Sequence, residues 1–180
     1  MIEKLMELFR TRQSCRNFSE KPVEKEKLVR CAEAARLAPS ACNSQPWEFV
    51  AVCGGPARDR AAQCAQALGA NLFAEKCPAF VAVAEKPAGL YMYRTGKQEK
   101  NQQYAQFDLG LAVMQFCLAA TAQGLATCIM GAVDKQKLKQ QLGISGDEEV
   151  RVLIAVGYPA SPEIRAKQRK NLDEVFHFVE

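Results

Sequence analysis

Arg12, Ser14 and Arg16 alternate through RQSCRNFSEKPV, residues 12–23. An extended chain at that spacing presents two guanidiniums and a hydroxyl on one side. Like charges held together call for an anion, and the guanidinium fork matches phosphate oxygens. Two other stretches carry more polar detail than a fold requires. In PSACNSQP (39–46) a proline-fixed turn offers Ser40, Asn43 and backbone N–H groups. In RAKQRKN (165–171) Arg165, Lys167, Arg169 and Lys170 crowd together. The three stretches together fit a phosphate monoester joined to a planar ring. Such a phosphate carries roughly −1.5 to −2 charges. One exposed ion pair is worth only about 1 kcal/mol, against roughly 4 kcal/mol at a shielded site. Several cations in a pocket are therefore needed. No GxGxxG follows a strand and no GxxxxGK[ST] occurs, so the cradle has to be built from side chains.

Each stretch also has a plainer reading. Arg12 and Arg16 could be solvated charges, and Ser40 and Asn43 could simply cap their turn. The tail could be an exposed basic face or a nucleic-acid patch, but no aromatic is interleaved with its cations to stack bases.

The elements that must position these residues follow from periodicity. Ile2, Leu5, Met6 and Phe9 fall on one face of an opening helix. Residues 23–38 repeat the pattern and stop at Ala38-Pro39. WEFVAVC (47–53) and AFVAVAE (79–85) read as buried strands, with an Ala-rich helix between them after Gly54-Gly55-Pro56. Residues 86–103 are polar with aromatics and read as a loop or lid; Tyr91, Tyr93, Arg94 and Lys97 lie there. Residues 104–122 form a helix apolar nearly all round, which suggests an oligomer interface. Residues 124–133 look irregular, 134–143 a short helix, and 149–159 a third buried strand. The tail ends in LDEVFHFVE, expected as a strand or packed extended segment. The alternation argues a three-layer α/β or α+β sandwich over residues 1–180 as one domain.

Composition sets the bounds. Of 180 residues, 48% are hydrophobic and 24% charged, which is a globular balance. A net charge of +4 does not announce nucleic acid. No signal peptide is read at the start. The longest apolar run, about 14 residues, falls short of the roughly 18–20 needed to span a bilayer. A cytoplasmic protein, away from membranes, is expected. The eight cysteines contain no CxxC and the single histidine is His177, so reduced, mostly buried thiols are expected, with no metal site.

These segments resemble, in order, the signatures of the FMN-dependent nitroreductase family: RQSCRNFSEKPV, AARLAPSACNSQPWEFVAV, GLATCIMGAVD, VLIAVGYP and KQRKNLDEVF. The likeness runs from Arg12 to Phe176. It implies an α+β three-layer sandwich, a central mixed sheet flanked by helices, in an intertwined homodimer with FMN at the interface. By the resemblance, Arg12 grips the phosphate, Ser14 belongs to the same stretch, and Arg16 reaches the pyrimidine side of the ring. Pro39, Ser40, Ala41 and Asn43 form the turn that the partner lays against the ring. Met130 and Gly131 provide backbone near flavin N5, and Lys167 and Arg169 close on the phosphate. Asn71 could match a ring contact, with an ambiguous spacing, and Gln13 stands where some members have His. The implied reaction passes hydride from NADH or NADPH through the flavin to a small acceptor, nitroaromatic or quinone-like, by a ping-pong mechanism. The chemistry is the cofactor's, so no catalytic side chain is expected. The alternatives are a flavin-binding sensor or storage module without turnover, and a deiodinase or flavin-destructase branch of the family.

Overall fold

The computed structural model describes residues 1–67, 69–92, 97–100, 102–144 and 146–179. Helices are α1 (Ile2–Thr11), α2 (Lys25–Arg36), α3 (Gly55–Gln66), α4 (Ala105–Ala122) and α5 (Lys135–Gln141). Strands are β1 (Trp47–Cys53), β2 (Ala79–Glu85), β3 (Gly89–Met92), β4 (Lys97–Lys100), β5 (Ala126–Met130) and β6 (Glu149–Gly157). Four strands form one sheet in the order β1-β2-β6-β5, each neighbouring pair antiparallel. The named strands thus form an antiparallel sheet, and among the described residues the parallel pairing that a mixed sheet implies is confined to the bridge between Ser14 and Thr127.

Alternation decides the layers. All seven residues of β2 are buried, because successive side chains enter different cores. Phe80, Ala82 and Ala84 face α3 and α5, with Cys64, Ala65 and Leu138. Ala79, Val81 and Val83 face α2 and α4, with Leu28, Cys31, Ala112 and Phe116. This is the three-layer sandwich the pattern predicts. Phe49 of β1 stacks on Phe116 of α4, centroids 5.7 Å apart. Gly157 ends β6 where a Cβ would lie 2.8 Å from the Pro78 ring and 2.9 Å from Phe18. The chain exits there only because the side chain is absent.

Three expectations change. Residues 124–133, read as irregular, contain edge strand β5. Its Thr127, Cys128 and Met130 are buried, a short run that the glycines on either side disguised. Residues 86–103, read as a loop or lid, carry an antiparallel ribbon, with Gly89 opposite Lys100. Tyr93 and Arg94 lie outside the described residues. The tail makes a short 3₁₀ turn over Leu172–Glu174 instead of a strand, capped by Asn171 and Glu174. Its apolar side chains, Phe176 and Phe178 among them, stay exposed.

Six cysteines (Cys15, Cys31, Cys64, Cys77, Cys117 and Cys128) are buried as small core residues, with no disulfide among those described. Burial pushes the Cys31 thiol up to about 11 and Cys77 up to about 12. Since the folded value lies above the unfolded one, these groups stabilise the fold fully below about pH 9. That contribution drains away as pH climbs toward 11–12. Thermal melts should therefore fall steadily above pH 9. Ellman's reagent at pH 8 should titrate at most two thiols rapidly, exposed Cys42 and half-buried Cys53. Unfolding should release the full complement of eight.

Candidate functional site

Residues 9–19 and the tail run antiparallel beside β5. The Cys15 amide donates to Thr127 O at 2.9 Å and locks this stretch to the sheet edge. The Ser19 amide donates to Tyr158 O (2.9 Å) and the Ala160 amide to Asn17 O (3.0 Å). Further along, the Gln13 Nε2 donates to Glu163 O at 2.7 Å. The Arg165 amide and Nε donate to Gln13 Oε1 at 3.3 and 3.2 Å. Arg165 Nη2 donates to Ser14 O, and Lys167 Nζ donates to Phe9 O at the end of α1. Between the segments opens a cavity of about 400 Å³, lined by Ser14, Cys15, Arg16, Leu125 and Arg165 among others.

Two segments some 150 residues apart in sequence thus bring their cations together. Lys167 is held below its ordinary value, first by partial burial and then by the charges of Arg12 and Arg169. Burial raises the Cys128 thiol against the opposing fields of Arg16, Arg165 and Arg12. Among the described residues, none of these five cations has a carboxylate within ion-pair distance. Elsewhere Lys and Arg pair readily, as Arg151 does with Glu85 and Glu149. Unbalanced positive charge is concentrated here, in a shape suited to a multiply charged anion.

Met130 and Gly131 lie at the far end of β5, three residues beyond Thr127, or roughly 10 Å along the strand. Gly131 is exposed, and a Cβ there would meet open space, so the chain's own packing leaves that place clear. Asn71, in the left-handed region at φ 54°, donates from Nδ2 to Ala132 O at 2.9 Å. It therefore abuts this end of β5.

The turn 39–43 is elsewhere. Trp47, Glu85 and Glu149 share one row of the sheet, and the turn precedes it on edge strand β1. Thr127, beside Ser14, shares a row with Val156, Ala79 and Cys53. The two places are on opposite edges and six residues apart along the strands (53 − 47). That is about 14 Å across and 20 Å along, or ~25 Å in all. One chain therefore does not assemble the whole predicted site.

The turn is nonetheless built firmly. Cys42, Asn43 and Gln45 have φ of 52°, 53° and 47°, a region non-glycine residues rarely occupy and that collects at functional sites. The Gln45 amide donates to Ser40 Oγ at 3.0 Å. The Ala41 amide donates to Asp108 Oδ2 at 3.1 Å. Asp108 is buried on α4, whose one charged residue it is, and that was its signal in the sequence. Asp108→Ala should cost about 1–3 kcal/mol, seen as a lower melting temperature, because a carboxylate partner disappears from a part-buried amide. Asp108, Gln13 and Arg165 are the site residues that spacing alone did not single out as organisers.

Known proteins resemble this chain in sequence and in fold. The model for the nitroreductase family matches residues 9–158. The chain belongs to the nitroreductase family. An oxygen-insensitive NADPH nitroreductase of Helicobacter acinonychis is 30% identical over 93% of each chain. A 5,6-dimethylbenzimidazole synthase of Rhodospirillum rubrum is 27% identical over 84% of this chain and 80% of its own. A crystal structure of an oxidoreductase containing FMN superposes with a TM-score of 0.80 at 24% identity, covering 94% of this chain and 89% of the other, which speaks for the fold. Nitroreductases are oxidoreductases that work with FMN and take electrons from NAD(P)H.

Proposed function

We propose that this nitroreductase-family chain is a cytoplasmic, homodimeric FMN enzyme that moves hydride from NADH or NADPH to a small nitroaromatic or quinone-like acceptor by a ping-pong mechanism. One observation carries the reading: Arg12, Lys167 and Arg169 converge from both ends of the chain without a counter-charge. Repulsion that the fold tolerates in isolation becomes attraction when a phosphate dianion enters. The donor set fits that group: two guanidinium forks and an ammonium, with Ser14 alongside.

When bound, FMN supplies the two-electron chemistry. The chain's residues do the rest. Arg12, Lys167 and Arg169 hold the phosphate, while Ser14 and Arg16 continue the polar wall beside Cys128. A guanidinium at Arg16 would favour negative charge on a reduced ring bound beside it. Met130 and Gly131 leave the end of β5 open for the ring. Pro39, Ser40, Ala41 and Asn43 complete the site from a second copy, since in their own subunit they lead into the sheet edge opposite the one beside Ser14. Apolar side chains left exposed by one chain supply the surface for that copy: Phe9 on α1, Phe107 and Met114 on α4, and Phe176 and Phe178 in the tail. No side chain is assigned a proton-transfer role.

The test is direct. The purified protein should be yellow with a flavin spectrum, be bleached by NADH or NADPH in stopped flow, and regain colour with a nitroaromatic or quinone. Colourless protein that takes up no added FMN would end the reading. Protein that is reduced but reoxidised by no acceptor would favour a sensor or store. A second reading, favoured by the Rhodospirillum rubrum relative, is the flavin-destructase branch. Mass spectrometry should then find 5,6-dimethylbenzimidazole after aerobic incubation of the loaded protein with NAD(P)H.

A further inference from the structure

We infer that Gln13 is a positioning residue, a neutral strap that holds the tail 161–169 across the cation cluster before any anion arrives. The inference rests on the FMN reading above for its consequence, though not for its geometry. Backbone pairing between the two segments ends at Asn17 and Ala160. Beyond that point the cavity separates them. Along the tail, the next connection is the Gln13 amide, which uses both ends: Nε2 donates to Glu163 O, and Oε1 accepts from the Arg165 amide and Nε; the side-chain bonds of Arg165 to Ser14 O and of Lys167 to Phe9 O accompany it. After it, the tail delivers Lys167 and Arg169 to Arg12.

The physical need for a strap is plain. Three cations without a carboxylate partner push the tail away, and at ordinary ionic strength the Debye length of about 10 Å does not screen neighbours. Something must oppose them in the empty protein, or FMN would have to order the tail as it binds. That ordering would weaken its affinity. A glutamine makes the bonds without adding charge to the cradle. A carboxylate here would neutralise the field meant for the phosphate, and a lysine would add to the repulsion.

The experiment compares wild type with Gln13→Met, which keeps the volume and removes all three bonds. Circular dichroism should be unchanged. In the FMN-free protein, hydrogen exchange of peptides covering 161–169 should accelerate, while peptides of β2 and β6 hold. FMN should bind about ten- to a hundred-fold more weakly, mostly through faster release, as expected for hydrogen bonds that include a charged donor. Saturating FMN should restore tail protection. So should about 1 M NaCl in the FMN-free variant, where screening within ~3 Å removes the repulsion; a merely structural role would not answer to salt.

Equal tail exchange in the two FMN-free proteins would overturn the inference. A loosened tail with wild-type FMN affinity would overturn it equally. Should Gln13→Met fail to fold, Gln13→Asn, the same groups one methylene short, takes its place; loss of fold in both would assign Gln13 to the scaffold and end the proposal. If wild type itself binds no FMN, the functional reading falls, while exchange in the FMN-free proteins still decides the strap.

Discussion

Arg12→Ala combined with Arg169→Ala is expected to purify without colour and to keep its helix content. Each charged hydrogen bond to a phosphate is worth about 1.5–3 kcal/mol, so losing both should weaken FMN by roughly 3–6 kcal/mol, a hundred- to ten-thousand-fold. The fold has no stake in these groups. Neither side chain has an ion-pair partner among the described residues, and the only side-chain bond described for Arg169 is its Nη1 donating to the adjacent Gln168 O. The FMN-free variant should even melt slightly higher than FMN-free wild type, because repulsion at Lys167 is relieved. Removing two neighbouring positive charges lets the depressed Lys167 ammonium move back toward its ordinary range. Flavin-to-protein absorbance, FMN titration and thermal melts read all three effects. A double variant that purifies fully loaded would show that the phosphate is held elsewhere.

Phe107→Glu with Met114→Glu is expected to elute as a monomer and to lose flavin, although every cation of the cradle is intact. The two residues lie seven apart on α4, two helical turns, and so on one face. They are 68% and 40% exposed, an apolar surface that a lone chain in water has little reason to keep. Carboxylates buried there without partners would oppose association by several kcal/mol. Flavin should leave with the dimer, because the turn 39–43 leads into the sheet edge opposite the one that carries Ser14. Light scattering and flavin content are measured on the same sample. A monomer that binds FMN like wild type would confine the whole site to one chain.

α4 shows why composition alone could not finish the description. By length and composition it is apolar enough to cross a bilayer. The structure divides its surface instead. Ala105, Asp108, Ala112, Phe116 and Ala120 face the protein's own core, and Phe107 and Met114 face outward. In sequence both faces read as hydrophobic, since only the packing partner differs. Similarly, β5 hid between glycines because an edge strand of five residues has too few alternations to declare a period. The ribbon β3–β4 has four residues in each strand, too few alternations to declare a period.

What the order of residues determined by itself was local and chemical. β1 and β2 were legible to the residue, since their apolar runs end at proline and glycine. The Arg-x-Ser-x-Arg stretch, the PSACNSQPW turn and the basic tail suggested the proposed ligand chemistry through residue type and family likeness. Only the tertiary structure decided distances. It laid the tail antiparallel to residues 9–19, made Gln13 the strap and Asp108 the anchor, and set the turn on the opposite edge of the sheet from the cations. The reason is physical: residue type and spacing act over a few residues along the chain. Charges from positions 12 and 167 meet only after the sheet has buried its two faces and fixed which edges lie apart.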